Sequence, residues 1–271
     1  MVLKRLLAVV ICLLLAVSMV GCGSSETAQQ PEKSQSADEA GVPAASGDRQ
    51  ALICDNYEAF NNAKHAYENH IMDASEDHEV VSIHRSQVIV LGNTIFHYLL
   101  PLSLLGQSVN ITGNFDVNME KSMLEQGWAD NVSLVDNGDG SYQITGEKDG
   151  DKWKLDVAYD AATDSLRLVG YENDKLGLVF EYCKLGKGYA AQYYFEDVTR
   201  YEQAQPVYEW CNYRLVFAGN NGSSARFEGV ESEPASIFKN PPDPDTWISG
   251  ATQWLTVKDG SFTGKLSGTE F

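Results

Sequence analysis

The sequence predicts an α+β fold that is mainly antiparallel β, with an N-terminal amphipathic helix packed on a β-meander (half-barrel-like) and further hairpins at the C-terminal end. Two observations carry this prediction. Between residues 51 and 72, large apolar side chains recur three, four or seven positions apart, the period of a helix with one buried face. From residue 132 onward the period changes to two, and short turns rich in Gly and Asp separate the runs, which favours antiparallel neighbours.

The predicted helix carries a largely aromatic stripe, with polar residues at the positions between. Asp48 lies just before it and is the expected N-cap. A stripe of this kind favours packing against a sheet over a ligand-facing surface. Its members are Ile53, Tyr57, Phe60, Tyr67 and Ile71.

The segment between this helix and the predicted sheet is harder to assign. Residues 80–91 have an extended pattern. Residues 95–105 are strongly apolar and contain Pro101, so they form either a kinked buried helix or a buried strand followed by a turn. Residues 118–126 are predicted to form a short helix that ends at Gly127.

The β region contains two long alternating runs, and alternation places every second side chain on the same face of a sheet. Shorter runs and the turn signals between them predict a meander of five or six strands with one apolar face. A polar bridge, residues 196–205, is expected to separate this meander from two C-terminal hairpins. The long runs are Trp153, Leu155, Val157 and Tyr159, and Leu176, Leu178, Phe180 and Tyr182.

The first 22 residues have the organisation of a secretory signal. Lys4 and Arg5 precede an apolar run at residues 6–17, which is short for a membrane span, and small residues lead to Cys22. Met19-Val20-Gly21-Cys22 resembles the lipobox of bacterial lipoproteins, with Met where Leu is usual. The resemblance implies cleavage of residues 1–21 and a lipid on Cys22, which would anchor the protein to the outer face of the cell membrane.

Residues 22–49 would then be the acylated cysteine and a tether. They are rich in Ser, Gln, Ala, Glu and Gly, which cannot build a core, so we expect them to be disordered. Residues 50–271 are predicted to form a single, mostly β, extracytoplasmic domain. A helix followed by a meander on an acylated tether is similar in outline to the lipid-carrying half-barrel lipoproteins of the bacterial envelope.

The charge limits the classes of partner. Loss of Lys4 and Arg5 with the signal would lower the formal net charge from −18 to −20. Nucleic-acid binding needs clustered basic residues, so a nucleic-acid partner is not expected. The lipid would hold the protein at the membrane against electrostatic repulsion.

Three cysteines follow Cys22. Cys183 and Cys211 are predicted to lie in or beside strands and to form a disulfide, while Cys54 on the helix stays free. This cysteine spacing does not match a zinc site.

Motifs for catalysis or metal binding are weak. Residues 136–140 fail the calcium-loop pattern, because Val135 stands where the first carboxylate belongs. Ser236 and Lys239 match a short nucleophile pattern without its companion motifs. We therefore expect no enzyme activity, no cofactor and no metal site, although all five histidines fall within one short region. These are His65, His70, His78, His84 and His97.

The sequence thus predicts a non-catalytic binding or interaction module without assigning its ligand. A competing hypothesis is a carrier of a lipid or another apolar ligand between helix and sheet. An envelope enzyme and a glycan-binding module are also compatible with the sequence, and in the latter Trp247 and Trp254 would stack on sugar rings. The candidate ligand-binding residues are Tyr57, Phe60, Tyr67, Trp153, Tyr159, Phe180 and Tyr182.

Overall fold

The computed structural model describes residues 46–74, 95–137, 139–266 and 268–271, which all fall within one compact unit, Ala45–Phe271. The predicted signal, Cys22, most of the predicted tether and the extended segment at 80–91 lie outside the described residues. Four helices are described: α1 Ser46–Ala74, α2 Phe96–Leu104, α3 Gln107–Thr112 and α4 Val117–Gly127. None of the helices described is long and apolar enough to cross a membrane.

The helices settle two points that the sequence left open or misplaced. Residues 95–105 contain a helix, α2, with Pro101 inside it, so the helix alternative is confirmed over the strand. Helix α1 begins at Ser46, before Asp48, and the prediction of Asp48 as its N-cap is wrong. An acidic residue is favoured in the first turn of a helix as well as at its N-cap, so Asp48 is compatible with the earlier start. Helix α4 agrees with the prediction, and Asp116 caps it by accepting from the amides of Asn118 and Met119.

The described residues from 130 onward are mostly antiparallel β-sheet. Eleven strands pair in chain order from β1 to β11, each antiparallel to the next. They are β1 Asp130–Asp136, β2 Ser141–Lys148, β3 Asp151–Asp160, β4 Ser165–Glu172, β5 Lys175–Leu185, β6 Gly188–Glu202, β7 Gln205–Ala218, β8 Asn221–Phe227, β9 Gln253–Lys258, β10 Ser261–Leu266 and β11 Thr269–Glu270.

The predicted break between the meander and the C-terminal hairpins is wrong. Residues 196–205 are not a bridge, because β6 runs on to Glu202 and β7 begins at Gln205. Gln203 and Ala204, with φ of 49° and 64°, form the two-residue turn between them. This end of the β6–β7 hairpin is largely exposed, so its strands lack the alternation of apolar and polar residues that marked the others.

One face of the sheet carries the main core, as the alternation predicted. Val157 pairs with Leu168, and Leu168 pairs with Phe180, so apolar side chains of β3, β4 and β5 adjoin one another. All three are fully or almost fully buried. Buried side chains from β1, β2, β6, β7 and β9 extend the same cluster.

Helix α1 lies against this face, and its aromatic stripe contacts several strands. Phe60 stacks on Tyr182 of β5, with ring centroids 4.6 Å apart and nearly parallel planes. Tyr67 stacks on Phe217 of β7 at 5.3 Å, and its hydroxyl lies 3.2 Å from Ser224 Oγ of β8.

The opposite face of the sheet is partly covered by residues 228–252, here called the strap, which join β8 to β9. Ile237 and Trp247 of the strap pack on Cys183 and Ala190 in a second cluster. Glu181 lies beneath the strap with no exposed surface. It accepts hydrogen bonds from Arg167 Nη1, Gln192 Nε2 (2.7 Å), Ser236 Oγ (2.5 Å) and Ile237 N (2.9 Å).

The predicted disulfide between Cys183 and Cys211 is not formed, and all three described cysteines are free and buried. Cys183 belongs to the cluster under the strap and Cys211 to the main core, so they lie on opposite faces. Cys183 pairs with Ala190, whereas Cys211 pairs with Phe195 five residues further along β6. Two strand spacings and five residues separate their α-carbons by about 20 Å, well beyond disulfide reach.

Candidate functional site

The sheet splits between β5 and β6, and this split creates a cleft. The two strands pair only as far as Val179 and Tyr194. Beyond that point β5 remains paired with β4 back to Lys175, while β6 continues with β7 to Glu202. Because β5 stays paired with β4 and β6 stays paired with β7, the β4–β5 hairpin separates here from the β6–β7 hairpin.

The cleft has a volume of about 500 Å³ and is open to solvent. Such a volume lies within the range of small-molecule sites. One wall is the end of the β4–β5 hairpin and the other is formed by β6 and β7, while residues of α2 and β3 complete it. The lining residues are Ile95, Tyr98, Trp153, Glu172, Asn173, Lys175, Leu176, Gly177, Phe195, Glu196 and Trp210.

Tyr98 reaches the cleft because two glycines let its ring lie directly on the sheet backbone. A β-carbon at Gly170 would collide with the Tyr98 ring, and one at Gly177 would collide with its hydroxyl oxygen. The side chain is consequently 7% exposed although it lines an open cleft. Glycine at both strand positions permits this close approach, at the cost of side-chain packing from the strand itself.

The rings of Trp153, Phe195 and Trp210 each pack against another aromatic ring. Tyr98 meets Trp153 edge to face at 5.1 Å between centroids. Phe195 stacks on Tyr213 at 5.4 Å, and Trp210 stacks on Tyr194 at 4.6 Å. Contacts of this type fix ring orientation, so the aromatic lining is pre-organised.

The charges of the cleft are predominantly negative. Glu172 and Glu196 face a single cation, Lys175, and no ion pair among the described residues involves any of the three. Burial, with the negative charge of Glu172 as the second cause, raises the pKa of Tyr98 to about 12. Tyr98 is therefore a neutral phenol at physiological pH and adds a hydroxyl rather than a charge.

His97 supports the lining from outside. Its ring meets Trp153 edge to face at 4.1 Å. Burial, and secondarily the positive charge of Lys148, lowers the pKa of His97 to about 4. The imidazole is thus neutral at physiological pH. It therefore adds no positive charge next to a cleft whose charged lining residues are mostly carboxylates.

The structure divides the seven candidate ligand-binding residues into two places. Tyr57, Phe60, Tyr67, Phe180 and Tyr182 meet in the core between α1 and the sheet, where each is at most 5% exposed. Tyr159 packs at the edge of that core and accepts a hydrogen bond from Asn56 Nδ2. Trp153 is the one member that lines the cleft.

The two tryptophans considered for glycan stacking are placed elsewhere. Trp247 is 9% exposed, its indole N–H donates to Leu215 O at 3.2 Å, and the guanidinium of Arg214 lies over its ring at 4.4 Å. It therefore anchors the strap. Trp254 pairs with Ala225 and Lys265 in the sheet.

Most of the cleft was missed by sequence reasoning. Phe195 and Trp210 lie where two strands outrun their neighbours, and Glu172 lies beside a turn. No local period marks such places. The one signal that could have been used is Gly170 and Gly177, two glycines inside strand patterns, since interior glycines often mark a close approach to a backbone.

No family model, curated protein or solved structure matches this chain. The histidine cluster is only partly described, since His78 and His84 fall outside the described residues. Among the residues that are described, no group of three or more His, Cys, Asp or Glu side chains is arranged to hold a metal ion.

Proposed function

We propose that this protein is a membrane-anchored extracytoplasmic lipoprotein that acts as a non-catalytic binding module, and that its ligand enters the cleft between the β4–β5 and β6–β7 hairpins. The observation that carries the proposal is the cleft itself, about 500 Å³ with four aromatic rings and three charged side chains in its lining. The lipobox-like sequence ending at Cys22 supports the anchor.

The cleft is favoured over the space between helix and sheet. In a lipid carrier that space would face the ligand, as expected for the half-barrel lipoproteins to which the sequence is similar in outline. Here the rings of Phe60 and Tyr182 stack directly on one another, as do those of Tyr67 and Phe217, which leaves these positions to protein contacts. The aromatic stripe therefore acts as core, and the ligand site is better placed at the split.

The anchor is tested by Cys22→Ser in a bacterial host. The thiol accepts the lipid in this class of signal, and no other cysteine lies near the cleavage region. We expect the wild-type protein to enter the detergent phase on phase partitioning and the variant to remain uncut or to carry no lipid. A variant that is still cleaved and still enters the detergent phase would show that Cys22 is not the anchor.

The cleft is tested by filling it. Glu196 and Glu202 are both exposed on β6 and six residues apart, but only Glu196 lines the cleft. Glu196→Trp should block the cleft, whereas Glu202→Trp is the matched control. The probes are choline, glucose, N-acetylglucosamine and the tripeptide Ala-Ala-Ala, added singly to the full chain in detergent. A probe that binds the folded state raises the melting temperature.

We expect at least one of these probes to raise the melting temperature of the wild type and of Glu202→Trp, and to leave that of Glu196→Trp unchanged. A shift that persists in Glu196→Trp would place the ligand elsewhere. The absence of a shift with every probe would contradict the proposed binding function.

A further inference from the structure

The cleft combines aromatic rings with carboxylates in a way that selects a chemical class of ligand, and this step rests on the proposed function of the cleft. Four of its lining residues are aromatic: Tyr98, Trp153, Phe195 and Trp210. The face of an aromatic ring carries partial negative charge, so a cation placed against it is attracted, most strongly by Trp. Rings already fixed by neighbours give this attraction without first having to be ordered.

The formal charges act in the same direction. Glu172 lies on the β4–β5 wall and Glu196 on the opposite wall, so a ligand in the cleft lies between two carboxylates, with Lys175 as the only basic side chain among the lining residues. No described residue forms an ion pair with either carboxylate. The net charge, −18 for the full sequence and −20 after loss of the predicted signal, adds a long-range field of the same sign. The two carboxylates and the net charge of the protein both disfavour an anionic ligand.

A polar group in the lining suits a ligand that also carries a hydroxyl or a similar group. Tyr98, more than nine-tenths buried, brings its hydroxyl next to Gly177 at the cleft wall. This hydroxyl can donate a hydrogen bond to, or accept one from, a polar group of the ligand.

We infer that the cleft binds a small organic cation, a quaternary or protonated amine, whose charged end lies among the aromatic rings and between Glu172 and Glu196. The volume of about 500 Å³ accommodates a molecule of this kind with room for a polar tail. A sugar would use the rings for stacking but would gain nothing from the net negative charge.

The test compares choline with 3,3-dimethylbutan-1-ol, a neutral molecule of the same shape. Isothermal titration calorimetry is performed on the full chain in detergent, with each probe up to about 10 mM, which would saturate a site of roughly millimolar affinity. We expect choline to bind at least about tenfold more tightly than the neutral isostere, since the two differ only in the charge that the rings and carboxylates attract. Added salt should weaken the binding of choline and leave the binding of the isostere unchanged.

Substitutions of exposed charged residues then test the contribution of charge without disturbing the core, and the half-buried Trp210 is changed separately. Glu196→Gln should lower the affinity for choline several-fold, and Lys175→Gln should raise it. Glu202→Gln serves as the control outside the cleft. Trp210→Leu should lower the affinity for choline by roughly 2- to 30-fold, the range of cation–π contributions.

The failures of the inference and of the proposed function are distinguishable. Equal affinity for choline and the isostere overturns the cation inference. Failure of choline to bind also overturns the cation inference. If glucose, N-acetylglucosamine or the tripeptide then binds, and Glu196→Trp abolishes that binding, the cleft is a binding site for another class of ligand. If no probe binds, or if binding ignores Glu196→Trp, the proposed function itself is contradicted.

Discussion

At the residue scale, His97 makes stability depend on pH in a defined direction. Its pKa lies at about 4 in the folded protein, against 6.5 for an ordinary histidine, chiefly because of burial. Between these two values the unfolded chain binds more protons at this site than the folded protein does. The free energy of unfolding should therefore fall as the pH falls from 6.5 towards 4.

We expect His97→Gln to reduce that fall, because Gln does not titrate. One group contributes a slope of at most about 1.4 kcal/mol per pH unit, and partial exposure of His97 lowers it. Urea unfolding of the wild type and the variant at several pH values between about 4 and 7 measures the difference. Parallel pH dependences for the two proteins would contradict the assignment.

Residues differ in how far sequence reasoning could place them. Phe60 and Tyr182 were expected on the core face of their elements, and the structure stacks them. Glu181 stands between Phe180 and Tyr182 and therefore on the opposite face of the strand, yet it has no exposed surface. The strap that covers it contains neither a helical nor a strand period, and covering by irregular chain leaves no periodic signal.

At the element scale, the cleft follows from a difference in strand length. Strand β5 has 11 residues and β6 has 15, and their shared pairing stops at Val179 and Tyr194. Hydrophobic period predicts that a strand exists and which face it buries, but the end of pairing with each neighbour depends on tertiary contacts. The alternating run of β5 on one wall was therefore predictable, whereas the extended ends of β6 and β7 on the other wall, and the site between them, were not.

The helix that completes the cleft illustrates the same limit. Residues 95–105 are apolar throughout, so periodicity could not decide between helix and strand. The structure forms α2, and its residue Tyr98 covers Gly170 and Gly177 of neighbouring strands. This contact joins positions more than 70 residues apart in the chain, and it became visible only with the fold.

At the scale of the whole molecule, the sheet is a chain of local pairings that α1 ties together. Each strand pairs with its neighbours in sequence from β1 to β11. Helix α1 crosses several of them: Asn56 donates to Tyr159 of β3, Phe60 stacks on Tyr182 of β5, and Tyr67 contacts Ser224 of β8. Successive turns of one helix thus connect strands that do not pair with each other.

Phe60 is the centre of this connection and the position at which it is best tested. Its ring, 1% exposed, contacts Phe180, Tyr182, Tyr189 and Phe217, which belong to three strands. Phe60→Ala removes these four ring contacts to the sheet and leaves a cavity, so we expect the free energy of unfolding to fall by about 3–5 kcal/mol. Because the helix joins β3 through β8, the loss should appear in one cooperative transition.

The matched control is Asn62→Ala, an exposed position two residues further along the same helix, where a change of at most about 0.5 kcal/mol is expected. Urea unfolding of both variants, followed by tryptophan fluorescence and by far-ultraviolet circular dichroism, measures the two effects. The tryptophans report mainly on the sheet and the circular dichroism also on the helices, so coincident transitions indicate a single unit. A Phe60→Ala protein as stable as the control, or one whose two probes separate, would mean that α1 does not hold the sheet together.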